Sequence, residues 1–303
     1  MRLGRGLEIF ISAKRGELAS ENTITYYNHW IKDFLRYVVE QGVLDWESIS
    51  GEHIQSYLAM LSESRKARSS TVHDAYRAIK ACNRYLYRHK DIPSCVCDTV
   101  QAPKQEKLIP RTFTAKEIQA MWSCCNKFSF PGVRDRTMIA LLLSSGIRKS
   151  ELAGILSENV DLENGVIKVY GKGGKERIIP MAHKVKTALE VYGEMKQRQN
   201  FPISSKYYFV NNKGARLNNS AMSSIFKRIK EKSGLQGERV SCHTWRHTFA
   251  KNYLMNGGDV FSLQKLLGHS DLTTTKRYLH LNNKELASQF DKYNPVDNMD
   301  WAL

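Results

Sequence analysis

Residues 160–181, VDLENGVIKVYGKGGKERIIPM, constrain the fold most, because their apolar pattern differs from that of the surrounding chain. Apolar and polar side chains alternate within three short runs, 160–162, 166–170 and 176–181. The runs are separated by Glu-Asn-Gly and Gly-Lys-Gly-Gly, which are typical of tight turns. We therefore predict a three-stranded antiparallel meander within a chain that is otherwise mainly α.

The first hundred residues show helical periodicity. Residues 20–42 begin with Ser20, a good helix N-cap, repeat apolar side chains every three to four positions and stop at Gly42. Residues 50–64 and 69–89 repeat this pattern. The basic start of the chain has a short apolar patch but no small-residue cleavage site, so we expect a helix there rather than a signal peptide. These segments predict a compact bundle of short helices.

The chain divides into two predicted domains. Residues 91–112 contain three prolines and no regular period, as expected for a connecting segment. A capping-box pattern, Thr114–Glu117, then starts a new helix. Residues 134–146, RDRTMIALLLSSG, are apolar on all sides and should form a helix through the core that ends near Gly146. We predict a helical domain at 1–105, a linker at 106–112, and an α+β domain at 113–303 that contains the small sheet.

Charge is concentrated in the second domain. The chain has 46 Lys and Arg against 30 Asp and Glu, a formal net charge of +16. Residues 1–110 hold 16 basic and 13 acidic side chains, whereas residues 111–303 hold 30 and 17. This asymmetry favours a polyanionic partner such as nucleic acid, although a basic protein without such a partner has the same composition. No run of about 18 apolar residues indicates a membrane span.

The cysteines are expected to be free thiols in a reducing cytoplasm, because the chain is large and shows no export signal. Four of the six, Cys95, Cys97, Cys124 and Cys125, have spacings that fit the usual zinc-binding pairs poorly. We therefore predict no metal site and no cofactor.

Four basic motifs in the second domain are candidates for chemistry. SSGIRKSEL contains Arg148, YGKGGKER contains Lys172 and Lys175, HTWRHTFA contains His243 and Arg246, and LLGHSDLTTTKRYLHL contains His269 and Tyr278. Each motif alone has an ordinary structural explanation. Arg148 and Glu151 could form a local ion pair. The glycine-rich turn could be a solvated hairpin tip. The two histidines of HTWRHTFA resemble half of a zinc-protease helix but lack its glutamate.

Together the four motifs fit phosphoryl transfer from a DNA backbone. Two arginines supply permanently charged forks that match a phosphate, and a lysine can protonate a leaving oxygen. Histidines can donate to oxygens or exchange protons near neutral pH. Cations beside a tyrosine favour its ionised, nucleophilic form.

These four motifs, in this order and spacing, resemble those of the tyrosine recombinases, the phage-integrase and Xer-like enzymes, and the resemblance extends over essentially the whole chain. Its helical first half is similar to the family's core-binding domain, and the second half to its catalytic domain. Trp245 and Ile147 differ from the residues that are commoner at these positions in the family, but neither difference removes a functional group.

The resemblance implies a site-specific DNA recombinase that works through a 3′-phosphotyrosyl intermediate. Tyr278 would be the nucleophile, Lys172 the general acid, and Glu151 the residue that supports the site. Arg148, Arg246 and His269 would bind the nonbridging oxygens, with His243 assisting proton transfer. Further DNA contacts are expected from the following residues: Ser69, Ser70, Thr71, Lys175, Lys227, Arg228, Lys230 and Lys232.

The family also implies partners. We expect double-stranded DNA, a homotetramer on two DNA sites that exchanges C-terminal segments, and accessory DNA-binding proteins. Two alternatives stay open on the sequence: nicking and resealing by a type IB topoisomerase-like enzyme, and non-catalytic DNA binding.

Overall fold

The computed structural model describes residues 1–104, 110–171, 174, 176–202, 205–235 and 240–268. The chain forms two compact units, Met1–Leu108 and Ile109–Leu303. In the described ranges no helix has the length and apolar character that crossing a membrane requires.

Over residues 1–104, the first unit is a bundle of four helices. They are α1 (Leu3–Gly16), α2 (Glu21–Glu40), α3 (Gly51–Glu63) and α4 (Ser69–Arg88), with short 3₁₀ turns at Trp46–Ser48 and Val96–Asp98. Ser20 caps α2 as predicted, since its side chain accepts a hydrogen bond from the Thr23 backbone N–H. α4 packs against each of the other three helices, and its buried face includes Val72, Ile79 and Leu86.

The connecting segment begins later than its proline content suggested. Ile92, Cys97 and Val100 are buried in the first unit's core. The buried Asn83 accepts a hydrogen bond from the Cys97 backbone N–H at 3.3 Å, and the Tyr76 hydroxyl donates to the Val100 carbonyl at 2.9 Å. The interpretation of 91–112 as linker throughout is therefore wrong for residues 92–100, because apolar anchors and two polar side chains of α4 hold this irregular segment in place.

The second unit combines helices with the predicted sheet. The helices in its described residues are α5 (Ala115–Ser123), α6 (Phe130–Ser145), α7 (Lys149–Ala153), α8 (His183–Gln197), α9 (Asn219–Lys232), α10 (Cys242–Met255) and α11 (Val260–Leu267), and a 3₁₀ turn spans Ser157–Asn159. The capping box at Thr114 and Glu117 starts α5 as predicted. α6 is buried along most of its length and packs against α8 and α10, which confirms that it runs through the core.

The sheet has the predicted order and direction. β1 (Val160–Asp161), β2 (Val166–Tyr170) and β3 (Glu176–Pro180) pair antiparallel in sequence order. Ile167 pairs with Ile179, and Val169 with Arg177. One face of the sheet packs on the core through the apolar members of these pairs, while Ile178 on the other face is 65% exposed.

Candidate active site

Arg148 lies at the junction between α6 and α7. Gly146 ends α6 in the left-handed conformation with φ of 57°, and Arg148 is the N-cap of α7. The Arg148 backbone N–H donates to Glu151 Oε2 at 2.8 Å, and Arg148 Nη1 donates to Glu151 Oε1 at 2.8 Å. Glu151 therefore fixes both the backbone and the guanidinium group of Arg148.

Glu151 also binds a second arginine. Its carboxylate is 1% exposed and receives hydrogen bonds from Arg177 Nη1 at 2.6 Å and Nη2 at 2.8 Å. Burial alone would raise the pKa of Glu151, but the hydrogen bonds and charge of Arg177, and then the contacts with Arg148, lower it to about 2. The carboxylate is thus ionised throughout the physiological range.

Arg246 is placed by α10 beside the end of α6. The residue is 5% exposed, and its Nη1 donates to the Gly146 carbonyl at 2.7 Å. Its Nη2 donates to the Leu267 carbonyl at 2.7 Å. Ser241 caps α10 by accepting from the Thr244 backbone N–H. His243 lies in the first turn of this helix with an exposed side chain, three residues before Arg246.

Three arginines meet at the last carbonyls of α11. Arg177 Nε donates to the Leu266 carbonyl at 3.1 Å, Arg246 Nη2 to that of Leu267 at 2.7 Å, and Arg148 Nη2 to that of Gly268 at 3.2 Å. These carbonyls lack partners within the helix, and cations are favoured at a helix C-terminus. Because the three acceptors are consecutive, with Cα atoms about 3.8 Å apart along the chain, the three guanidinium groups are neighbours. We call them the arginine cluster.

Among the described residues, the arginine cluster contains three cations and one carboxylate. Glu151 is bound by Arg148 and Arg177, and Arg246 lies beside them on the adjacent Leu267 carbonyl. Planar guanidinium groups are suited to binding two oxygens of one phosphate. The arrangement can therefore hold a phosphodiester and stabilise the charge that develops on its nonbridging oxygens.

Several predicted site residues lie outside the described part of the chain. These are Lys172, Lys175, His269 and Tyr278. Gly268, the last described residue, directly precedes His269 in sequence. Tyr253 on α10 packs against Phe249 with ring centroids 5.7 Å apart.

The predicted DNA contacts outside the cluster occupy different settings. Ser69, Ser70 and Thr71 form the first turn of α4, where backbone N–H groups lack helical partners. On α9, the side chains of Lys227 and Lys232 are exposed and that of Lys230 is half-buried. Arg228 differs, because its Nη2 donates at 2.5 Å to Asp135, a buried carboxylate that Arg134 also binds. That ion pair gives Arg228 a role within the fold.

Sequence reasoning missed Arg177. The hairpin motif YGKGGKER includes Arg177, but the sequence predicts no separate function for this residue. The strand pattern carried the signal: Arg177 and Ile179 are two apart on β3 and so share a face, which is the face turned to the core. A charged side chain at an inward position needs a buried partner, and Glu151 is that partner.

The thiols and carboxylates indicate no metal centre among the described residues. All six cysteines are unpaired. Within the same ranges, no three side chains from His, Cys, Asp and Glu converge as metal ligands do.

Comparison with known proteins identifies the family. The sequence pattern described as the phage integrase family matches residues 111–285, and that of the phage integrase N-terminal SAM-like domain matches residues 7–90. The chain belongs to the phage integrase family of tyrosine recombinases. These are DNA strand-transferring enzymes.

Curated tyrosine recombinases resemble the chain over nearly its full length. It is 31% identical to XerC of Thermodesulfovibrio yellowstonii over 295 residues, which cover 96% of this chain and 95% of that protein. It is 33% identical to XerC of Myxococcus xanthus, with 91% and 93% covered, and 30% identical to XerD of Staphylococcus aureus, with 94% and 96% covered.

Solved structures share the fold. XerH bound to a palindromic difH substrate aligns with a TM-score of 0.74 at 20% identity, covering 93% of this chain and 82% of that one. The Tn1549 transposon integrase in complex with transposon right end DNA aligns with a TM-score of 0.77 at 18% identity, covering 97% and 100%. The predicted fold class, a helical domain followed by an α+β domain with a small antiparallel sheet, is confirmed for this tyrosine recombinase.

Proposed function

We propose that this tyrosine recombinase is a site-specific enzyme that cuts and rejoins double-stranded DNA through a covalent bond to Tyr278. The observation that carries the proposal is the arginine cluster, in which Arg148 and Arg246 lie side by side at the end of α11. Membership of the family over the whole chain supports the assignment. The comparisons do not favour the topoisomerase-like alternative.

The proposed cleavage exchanges one phosphodiester for another. The Tyr278 oxygen attacks the scissile phosphorus, and His243 assists removal of the phenol proton. The bond to the 5′ oxygen breaks as the tyrosyl bond forms, and Lys172 gives that oxygen its proton. The products are a 3′-phosphotyrosyl bond and a free 5′-hydroxyl. The 5′-hydroxyl of a partner strand then attacks the tyrosyl ester and releases Tyr278.

The arginines act on the charge that develops during each step. Arg148, Arg246 and His269 bind the nonbridging oxygens, with Arg148 oriented by Glu151 at 2.8 Å. Because bond energy is conserved between the two esters, the reaction needs no nucleotide hydrolysis. Affinity for the duplex comes mainly from phosphate contacts and falls steeply with salt.

The experiment that tests this proposal traps the covalent intermediate. The protein is expressed in the cells that carry its gene, adducts are captured under denaturing conditions, and the attached DNA is sequenced. We expect one recurrent sequence joined through its 3′ end. Tyr278→Phe should abolish capture, and capture that persists in this variant would assign the chemistry to another residue.

Two assays on the recovered sequence separate the alternatives. Exchange between two duplexes identifies a recombinase, whereas relaxation of a single supercoiled plasmid without exchange identifies topoisomerase-like action. Specific binding without a covalent adduct identifies a non-catalytic DNA-binding protein.

Assembly is part of the same proposal. We propose a homotetramer on two DNA sites in which each C-terminal segment docks on a neighbouring subunit, with accessory DNA-binding proteins setting the outcome. Action on chromosomal or mobile DNA would place the protein in the cytoplasm. Deleting residues 284–303 tests the exchange: cooperative binding should be lost, and unchanged cooperativity would refute it.

A further inference from the structure

We propose that Arg177 is a positioning residue for strand cleavage, holding Arg148 and the end of α11 in the geometry that binds the scissile phosphate. This inference rests on the proposed function. It concerns a residue on the sheet rather than on the helices that carry Arg148 and Arg246.

The first argument is the set of contacts that Arg177 makes. Its two terminal nitrogens bind both oxygens of Glu151, and its Nε binds the Leu266 carbonyl. One guanidinium group therefore joins β3, α7 and α11. The side chain is 13% exposed, so it is largely withdrawn from solvent.

The second argument is charge. Glu151 paired with Arg148 alone would form a neutral pair and weaken the attraction of Arg148 for a phosphate. Arg177 supplies a second cation to the same carboxylate through a two-pronged contact. Glu151 can then orient Arg148 while the positive charge of Arg148 remains in surplus.

The third argument is the close approach at Gly268. This residue has φ of 62°, and a Cβ atom there would lie 3.2 Å from Cδ of Arg177. A glycine thus allows the chain leaving α11 to pass directly over the Arg177 side chain. The same residue offers its carbonyl to Arg148 at 3.2 Å. Arg177 and Arg148 therefore contact adjoining parts of the segment that leads to His269.

The test compares three variants of the full-length protein on a duplex that carries the sequence recovered by covalent capture. Arg177→Met removes both the positive charge and the planar guanidinium group, whereas Arg177→Lys keeps only the positive charge. Lys168→Met is the matched control, because Lys168 lies on the neighbouring strand and pairs only with Glu176 among the ion pairs described, on the exposed face. Thermal unfolding shows which variants are folded.

A positioning role predicts a split between binding and chemistry. We expect Arg177→Met to slow single-turnover formation of the covalent adduct by about 10²-fold, while affinity for the duplex changes by less than about threefold. Arg177→Lys should recover part of the rate, and Lys168→Met should match the unaltered protein. An equal loss of affinity and rate, or no loss of rate, would overturn the inference.

The pH dependence adds a readout that a structural role alone would not produce. Without Arg177, burial should raise the pKa of Glu151, and its protonated form offers Arg148 fewer acceptors. The cleavage rate of Arg177→Met relative to the unaltered protein should therefore fall further as pH decreases from about 7 towards 4.5, the ordinary pKa of the Glu151 carboxyl. A ratio that is constant with pH would count against the inference.

A duplex with sulfur in place of the scissile 5′ oxygen separates Arg177 from the hairpin lysine. A thiolate leaves without a proton, so this substrate should restore Lys172→Ala but not Arg177→Met. Restoration of both would show that Arg177 acts through the hairpin and would refute positioning of Arg148. If the unaltered protein forms no adduct with any duplex, the proposed function itself has failed, which is a different result.

Discussion

Arg177 donates from both terminal nitrogens to the two carboxylate oxygens of Glu151, at 2.6 and 2.8 Å. The same carboxylate holds the backbone and side chain of Arg148. One buried anion thus organises two cations that come from different secondary structure elements. This relationship links the stability of the second unit to the geometry of Arg148, the group proposed to bind the scissile phosphate.

The first prediction concerns acid stability. The pKa of Glu151 is about 2 in the folded protein against an ordinary value of 4.5, so its contribution to stability is present above 4.5 and is lost as pH falls towards 2. A shift of this size corresponds to about 3 kcal/mol. Glu151→Gln should lower the free energy of unfolding by a similar amount at pH 7, because it leaves Arg177 buried without an anion.

Denaturant unfolding between pH 2 and pH 7 measures this effect. The difference between the unaltered protein and Glu151→Gln should shrink below pH 4.5. Glu163→Gln, in the turn between β1 and β2, is a control that changes an exposed carboxylate. A difference that persists undiminished at low pH would contradict the assigned cause.

The second prediction concerns Gly146. A Cβ atom at this position would lie 2.6 Å from Cδ1 of Phe249 and 2.8 Å from Cδ2 of Leu267, and φ is 57°. Gly146→Ala should therefore cost about 3 kcal/mol from backbone strain and overpacking together. Gly165→Ala is the matched control, since φ is 66° there but nothing lies within 4 Å of an added Cβ. We expect about 1 kcal/mol for that control, by denaturant unfolding.

The third prediction concerns Arg246. A lysine cannot reproduce two separate contacts, to the Gly146 carbonyl and the Leu267 carbonyl, while presenting a planar fork to phosphate. Arg246→Lys should slow covalent adduct formation by about 10²–10³-fold. Arg198→Lys, at a side chain that is 78% exposed at the C-cap of α8, should leave the rate unchanged. Equal rates for the two variants would remove Arg246 from the proposed chemistry.

The fourth prediction separates two neighbouring cations on α9. Arg228→Met removes a partner of the buried Asp135 and should lower stability by about 1–3 kcal/mol. Lys227 is 77% exposed, with Glu231 3.9 Å away, so Lys227→Met should leave stability unchanged. If Lys227 contacts the DNA backbone as proposed, its loss should reduce the slope of the logarithm of the binding constant against the logarithm of the salt concentration by about 1, as expected for one phosphate contact. Binding measured over a salt series, beside thermal unfolding, tests both expectations.

Local patterns anticipated much of the fold. The sheet was predictable because alternation and turn residues are set by neighbours in sequence, and α6 because its apolar residues cover all sides. Ser20 and the pair of Thr114 and Glu117 marked helix starts through contacts within one turn.

Features that depend on distant parts of the chain were harder to predict. The burial of residues 92–100 depends on Asn83 and Tyr76, whose side chains satisfy backbone groups that no local pattern reveals. Arg148 and Glu151 are close in sequence, and a local pair was one interpretation of them. Arg177 joins them from 26 residues away from Glu151, so its partner became visible only in three dimensions.

The carbonyls of Leu266, Leu267 and Gly268 each accept a hydrogen bond from a different arginine, and this anchors the chain just before the residues that lead to Tyr278. Tyr278 follows Gly268 by ten residues, a length that spans at most about 35 Å when fully extended. If Tyr278 is the nucleophile, as proposed, the phosphate that it attacks lies within this distance of the anchor plus the length of the tyrosine side chain, whichever subunit binds that phosphate. In the proposed tetramer, the same length of chain would limit the spacing between subunits on DNA.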